Sequence, residues 1–165
     1  MIRPATPADV ATILGFVRDL AAFEREPDAV KATEAMLADA LFGTHPAAEA
    51  VIAETDGAAQ GFALFFHNFS TWTGRRGLYL EDLYVTPSAR GQGVGTALLR
   101  HLAALAVDRG CGRFEWSVLD WNADAIAFYR QMGAIGMADW TVQRVDGDAL
   151  LRLAGRDEVD PVRSG

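Results

Sequence analysis

From Val10 the apolar residues Ile13, Leu14, Val17, Leu20 and Ala21 recur at helical spacing, carrying one face to about Phe23, where Glu24-Arg25-Glu26-Pro27 breaks the run. Thr6-Pro7-Ala8-Asp9 ahead of it supplies an N-cap, a first-turn proline and an acid, so a helix is expected to start there. Residues 33–42 repeat the logic, with Thr33 as N-cap, Met36, Leu37 and Leu41 inward, and Gly43 as the stop. The clearest helix covers 96–109, with Leu98, Leu99, Leu102, Leu105 and Ala106 on one face, and a fourth covers 122–132, closed by Gly133. Between these the period falls to two. Strands are expected at 2–4, at 50–54 and 61–67 across the Asp56-Gly57 hairpin signal, at 78–85, at 113–119 and at 140–145. Periodicity leaves 149–153 open between strand and short helix. No repeat or linker divides the pattern, so 1–155 reads as one domain, followed by a loose polar tail over 156–165.

Half of the 165 residues are hydrophobic, enough to build one core of ordinary size. Twenty-two acidic against 15 basic residues give a formal charge of −7, which argues against a grip on nucleic-acid phosphates and suits a cationic partner. One cysteine, Cys111, allows no internal disulfide and no cysteine-built zinc site, and no apolar run reaches the roughly 18 residues of a membrane span. A cytoplasmic protein with no membrane partner is expected. His45, His67 and His101 lie far apart without partners at i+4, so no metal is expected.

The strand at 78–85 runs into Arg90-Gly91-Gln92-Gly93-Val94-Gly95 and then into the longest helix. Unpaired N–H groups and the positive end of the helix dipole converge at such a turn, and glycine lets a phosphate approach the backbone. The dinucleotide spacing Gly-x-Gly-x-x-Gly fails, because Thr96 stands where the third glycine belongs. Cys111, between Gly110 and Gly112 with no assigned His or acid beside it, gives no support to an acyl-cysteine route. Glu81 and Asp82 are adjacent, so in a regular strand they point to opposite faces and only one faces a given site.

The spacing Arg90-x-x-Gly93-x-Gly95 resembles the coenzyme A motif of the GNAT superfamily. With Leu78-Tyr79-Leu80-Glu81-Asp82-Leu83-Tyr84-Val85 before it, and Glu115-Trp116-Ser117-Val118-Leu119-Asp120-Trp121-Asn122 and Ala125-Ile126-Ala127-Phe128-Tyr129 after it, the chain is similar to the diamine acetyltransferase branch, whose members acetylate spermidine, spermine and related amines such as thialysine. The resemblance runs from Ile2-Arg3-Pro4-Ala5 through Phe69-Ser70-Thr71-Trp72 to Trp140-Thr141.

The resemblance implies an α/β GNAT fold: a mixed, mostly antiparallel sheet of six or seven strands with about four helices, splayed between the strands at 78–85 and 113–119. It implies acetyl-CoA as co-substrate, bound by Leu83, Tyr84 and Val85, by Arg90, Gly91, Gln92, Gly93, Val94, Gly95 and Thr96, and by Asn122, Ala125 and Tyr129. Tyr129 is implied as general acid for the leaving thiolate, since a phenol has a proton to give at neutral pH. Glu81 is implied to face a small cationic amine, as anchor or as base through water, with Phe23, Glu24, Asp82, Glu115, Trp116 and Ser117 around it. Asn122 doubles as the N-cap of its helix. A homodimer is implied, with 140–145 near the interface.

Phe23-Glu24 stands where polyamine-specific animal enzymes carry a tyrosine before the glutamate, which turns attention to thialysine-like amino acids. Such an acceptor has a carboxylate of its own and calls for a cation, for which Arg75, Arg76 and Arg144 are the candidates. An idle acyl-CoA sensor and a peptide acetyltransferase are the alternative functions.

Overall fold

The computed structural model describes residues 1–156 and contains five strands and five helices within them. The chain divides into two compact units, one covering Met1–Trp121 and the other beginning at Asn122. The first holds the whole sheet, in the order β1 (Ile2–Pro4), β2 (Glu49–Thr55), β3 (Ala58–Ser70), β4 (Arg75–Val85), β5 (Phe114–Trp116). Every neighbouring pair is antiparallel except β4 and β5, which run parallel. The first unit also holds α1 (Val10–Phe23), α2 (Glu34–Phe42) and α3 (Val94–Asp108). This is the mixed, mostly antiparallel α/β arrangement that the resemblance implies, with five strands among the described residues in place of six or seven.

Local chemistry accounts for most element ends. The Asp56-Gly57 turn joins β2 to β3, with both residues at positive φ. The Thr33 side chain accepts from the Met36 N–H to cap α2. At the first helix, Pro7–Asp9 forms a 3₁₀ turn that leads into α1, and the Asp9 carboxylate accepts from the Thr6 N–H at 2.7 Å and the Thr6 hydroxyl at 3.1 Å. Arg3 on β1 grips the same carboxylate with both Nη atoms at 2.8 and 2.9 Å, while its Nε donates to Glu54 on β2 at 2.8 Å. One guanidinium thus ties the first helix to the sheet.

The two faces of the sheet follow from β3, which alternates regularly from Gly61 onward. Phe62 points toward α1, where its ring lies 5.7 Å from that of Phe16, and Ile13, Leu41, Ala50, Ile52 and Tyr84 complete the cluster. Ala63, Phe65 and His67 point the other way, toward α3. There Arg109, just past the helix, lies over the Phe65 ring, donates to Glu49 at 2.6 and 2.8 Å and donates to His67 Nε2 at 3.0 Å. Leu98, Leu99, Leu102 and Ala106 are the buried face of α3, as its spacing predicts.

Several expectations need correction. Met36 is 60% exposed, because α2 covers the core with Leu41 and the partly buried Leu37. The strand expected over 113–119 shortens to β5, since it pairs with β4 only from Leu78 to Leu80. No strand forms at 140–145. Those residues are exposed, and among the described residues of their unit no strand offers a ladder to their backbone. The open stretch at 149–153 falls in a helix, α5 (Gly147–Leu153), and the second unit also contains α4 (Ala123–Gln131). Most of the expected tail, 157–165, lies outside the described residues.

The Arg3 grip holds the Asp9 carboxyl well below the usual range, at about 2, with its bonds from Thr6 adding to the effect. A depressed carboxyl stabilises the fold above its unfolded value near 4 and loses that stabilisation as pH falls toward 2. Asp9→Asn is therefore expected to cost about 2 kcal/mol at pH 7. Its thermal melting should converge with that of the parent protein below pH 3, and a constant gap from pH 7 to pH 2.5 would refute the assignment.

Candidate active site

The register of β3 with β4 slips once. Leu64 opposes Asp82 and Phe65 opposes Leu80, so Glu81 is an extra residue, a β-bulge. Its effect is a change of parity. Leu78 and Leu80 pair with His67 and Phe65 on the α3 face, whereas Asp82 and Tyr84 pair with Leu64 and Phe62 on the α1 face. All four carry even numbers and would share one face of a regular strand. The expectation that Glu81 and Asp82 point apart assumed that regular strand, and the bulge removes its basis.

Beyond Leu80 the parallel partner also ends, so β4 and β5 diverge at the bulge. This is the splay expected between the two strands. Leu83 and Val85 line the last stretch of β4, while Tyr84 turns its ring into the α1 core, 5.3 Å from that of Phe16, and donates to Asp19 at 3.4 Å. What Tyr84 has left for a ligand is backbone.

Three carboxylates meet electrostatically at the bulge. Asp82 is pushed up to about 6, chiefly by burial and then by the charges of Glu81 and Glu24. Glu24, the C-cap of α1, is raised by burial and then by Glu81. Glu81 itself is exposed. Of the adjacent pair the desolvated acid is thus Asp82, whereas the resemblance sets Glu81 against the amine. Glu115 opposes Tyr79 and shares its face of the sheet, and the Ser117 hydroxyl lies 2.8 Å from Tyr79 Oη. Trp116 opposes Leu80 and so stands on the α3 face, away from the face that carries Asp82.

Downstream of β4 the chain turns through Pro87–Ala89 and enters α3 at Val94. Gly91 and Gly93 have φ of 76° and 82°, a conformation that favours glycine. Gly95 is different: it is helical, and a Cβ there would meet Val85 Cγ2 at an ordinary 3.8 Å. Neither backbone nor packing requires glycine at that position, and a helix loses roughly 1 kcal/mol by having it. A bulky anion drawn against the backbone does require it. The first helical bond runs from the Ala97 N–H to the Gly93 carbonyl, so the N–H groups of Val94, Gly95 and Thr96 point out of the helix end. Side chains brace the turn rather than fill it: Arg90 Nε donates to the Val85 carbonyl at 3.1 Å and Gln92 Nε2 to the Ser88 carbonyl at 3.0 Å. These residues fit a pyrophosphate.

Asn122, Ala125 and Tyr129 belong to the second unit. They are spaced i, i+3, i+7 and share one side of α4, whose N-cap is Asn122, accepting from the Ala125 N–H at 3.3 Å. The rings of Phe128 and Tyr129 are 5.5 Å apart.

Sequence reasoning missed two residues. Trp121 packs against Phe23 with ring centroids 6.1 Å apart, and Arg25 lies 4.0 Å over the indole. The one available signal was an arginine directly after Glu24.

A carboxyl held up by burial and like charge is most comfortable neutral, so its contribution to stability is greatest at low pH and is lost as pH rises through about 6. Asp82→Asn is expected to raise the melting temperature of the ligand-free protein at pH 8 by about 2–4 °C, corresponding to roughly 1 kcal/mol, and by progressively less toward pH 4. A lower melting temperature at pH 8 would show that Asp82 is held by a favourable partner instead.

The sequence pattern of the Acetyltransferase (GNAT) family matches residues 15–134. The thialysine N-epsilon-acetyltransferase of Sus scrofa is 38% identical, over 94% of this chain and 98% of its own length. The L-ornithine N5-acetyltransferase of Arabidopsis thaliana is 33% identical, over 90% of this chain and 85% of its own. Among solved structures, an integron cassette protein from the mobile metagenome of V. cholerae is similar with a TM-score of 0.78 and 28% identity, covering 93% of this chain and 96% of that one. The family match spans both the bulged strand and the glycine turn that follows it, and the relatives extend it over nearly the whole length; the chain belongs to the GNAT acetyltransferase family.

Proposed function

We propose that this protein transfers an acetyl group from acetyl-CoA to the amine of a small cationic acceptor of the thialysine or ornithine kind. The observation that carries the reading is the placement, on one strand and its continuation, of a carboxylate cluster at 81–82 and an anion-binding turn at 90–96. Acetyl-CoA supplies an activated thioester: a C–N bond forms, the C–S bond breaks, the amine gives up a proton and the sulfur takes one.

The chain's own residues divide that work. The N–H groups of Val94, Gly95 and Thr96 hold the pyrophosphate, and the edge of β4 at Leu83–Val85, freed from β5, lies along the pantetheine arm, with the Leu83 N–H polarising the acetyl carbonyl. Glu24, Glu81 and Asp82 attract the ammonium, and Glu81 or Asp82 accepts its proton directly or through water. Asn122 and Ala125 contact the coenzyme from the first turn of α4, and Tyr129 protonates the departing sulfur. Glu115 and Ser117 extend the polar wall of the acceptor pocket, with Phe23 at its rim.

A polyamine is the second reading, favoured by the same three carboxylates. A peptide acceptor and an idle acyl-CoA sensor are further outcomes of the test below. We also propose a homodimer in which the exposed Val142 and Val145 are covered, a state that sedimentation at micromolar concentration would refute by showing only monomer. A cytoplasmic setting agrees with the lone thiol of Cys111. Among the described residues no helix is long and apolar enough to cross a membrane.

Release of free coenzyme A should accelerate with thialysine, lysine or ornithine as acceptor, and less with a histone-like peptide. Binding of acetyl-CoA without acceleration by any acceptor would favour the sensor. Tyr129→Phe is expected to lower kcat by roughly 10² while leaving acetyl-CoA affinity within about twofold. An unchanged rate would remove Tyr129 from the mechanism.

A further inference from the structure

The end of α1 is built in an unusual way. The Glu26 N–H donates to the Ala21 carbonyl at 2.9 Å and the Arg25 N–H to the Ala22 carbonyl at 3.1 Å, which is the Schellman pattern of helix closure. The residue after the cap in that pattern is left-handed and usually glycine. Here it is Arg25, at φ 65°. A residue with a Cβ is disfavoured in that conformation, so the fold tolerates a strained arginine where glycine would sit without strain.

The guanidinium of Arg25 has a defined aromatic partner. Its central carbon lies 4.0 Å from the centroid of the Trp121 ring, and Phe23 packs on the same indole at 6.1 Å. Glu24 stands between these two residues in sequence, so the contacts that seat Arg25 also seat Glu24 beside Glu81 and Asp82. None of the ion pairs among the described residues uses Arg25. A guanidinium held over an aromatic ring by cation–π attraction still has N–H groups to donate, and their fork matches the two oxygens of a carboxylate.

We propose that Arg25, held on Trp121, binds the carboxylate of the acceptor and makes this enzyme selective for amino-acid side-chain amines over polyamines. The inference rests on the transferase reading above. An amino acid with a terminal amine has an ammonium at one end and a carboxylate at the other. The acid cluster takes the first and Arg25 the second. A polyamine has no negative end, so the same guanidinium repels it. Two of the cations suggested by sequence serve less well: Arg75 and Arg76 oppose Ser70 and Phe69, five to six residues up β4 from Glu81, a separation of roughly 17–20 Å at strand rise.

The test compares thialysine with thialysine amide, and lysine with cadaverine, in the coenzyme A release assay. The parent enzyme should prefer the acid of each pair. Arg25→Gln should raise KM for thialysine about tenfold with little change in kcat, bringing the acid-to-amide ratio of kcat/KM toward one, and Arg25→Lys should recover part of the preference. Arg25→Gly should lose the preference equally while melting no lower than the parent, which separates loss of recognition from loss of fold. A parent enzyme indifferent to the carboxylate, or an Arg25→Gln ratio equal to the parent's, overturns the proposal while leaving the transferase reading intact. Failure of the parent enzyme to acetylate any of the four amines overturns both.

Discussion

The extra residue in β4 is the constraint on which the site depends. A regular strand would have placed Leu78, Leu80, Asp82 and Tyr84 on a single face, burying a carboxylate in line with two leucines. By inserting Glu81, the strand gives its leucines to the α3 core and its acid and tyrosine to the α1 side. The ladder to β5 stops at the same place, so the parting of the two strands and the gathering of the acids have a common origin. The bulge gives up local ladder hydrogen bonds, and the fold tolerates this because Phe62, Phe65 and Leu78 on either side are fully buried.

Around that point the protein concentrates charge it would otherwise spread. Asp82 and Glu24 are raised by burial and by like charge, the condition of carboxylates arranged to meet a cation rather than each other. A few residues further along the chain the sign reverses, where the start of α3 presents N–H groups and a positive dipole end. In the proposed reaction, an amine and a phosphorylated carrier are thereby attracted to neighbouring stretches of one polypeptide. Stability is supplied elsewhere, by the Phe16–Phe62–Tyr84 cluster and by Arg3, which satisfies Asp9 and Glu54 together. Asp9 has its charge well paired by Arg3, whereas Asp82 is buried among like charges.

The first helix connects these regions. Asp9 fixes its start to the sheet, Phe16 packs its middle on Phe62, and Glu24 with Arg25 forms its end over Trp121. A left-handed arginine at a position suited to glycine is a local departure from the residue the backbone prefers, and such departures are expected where function rather than folding selects the side chain.

The sequence by itself determined the elements whose signals are local: the helices with their Thr33 and Asn122 caps, the Asp56-Gly57 hairpin, and the glycine turn before α3, because caps, turns and phosphate cradles are made by residues adjacent in the chain. It also carried the family, since those local signals occur in a fixed order. Tertiary structure decided what depends on pairing. Residues 140–145 form no strand, having no partner ladder among the described residues of their unit, and β5 could extend only as far as β4 stayed beside it. Whether Glu81 or Asp82 is the desolvated acid turned on a one-residue slip between β3 and β4, which no pattern within β4 reveals. Arg25 met Trp121 through contacts across nearly a hundred residues of sequence, a distance over which periodicity has nothing to say.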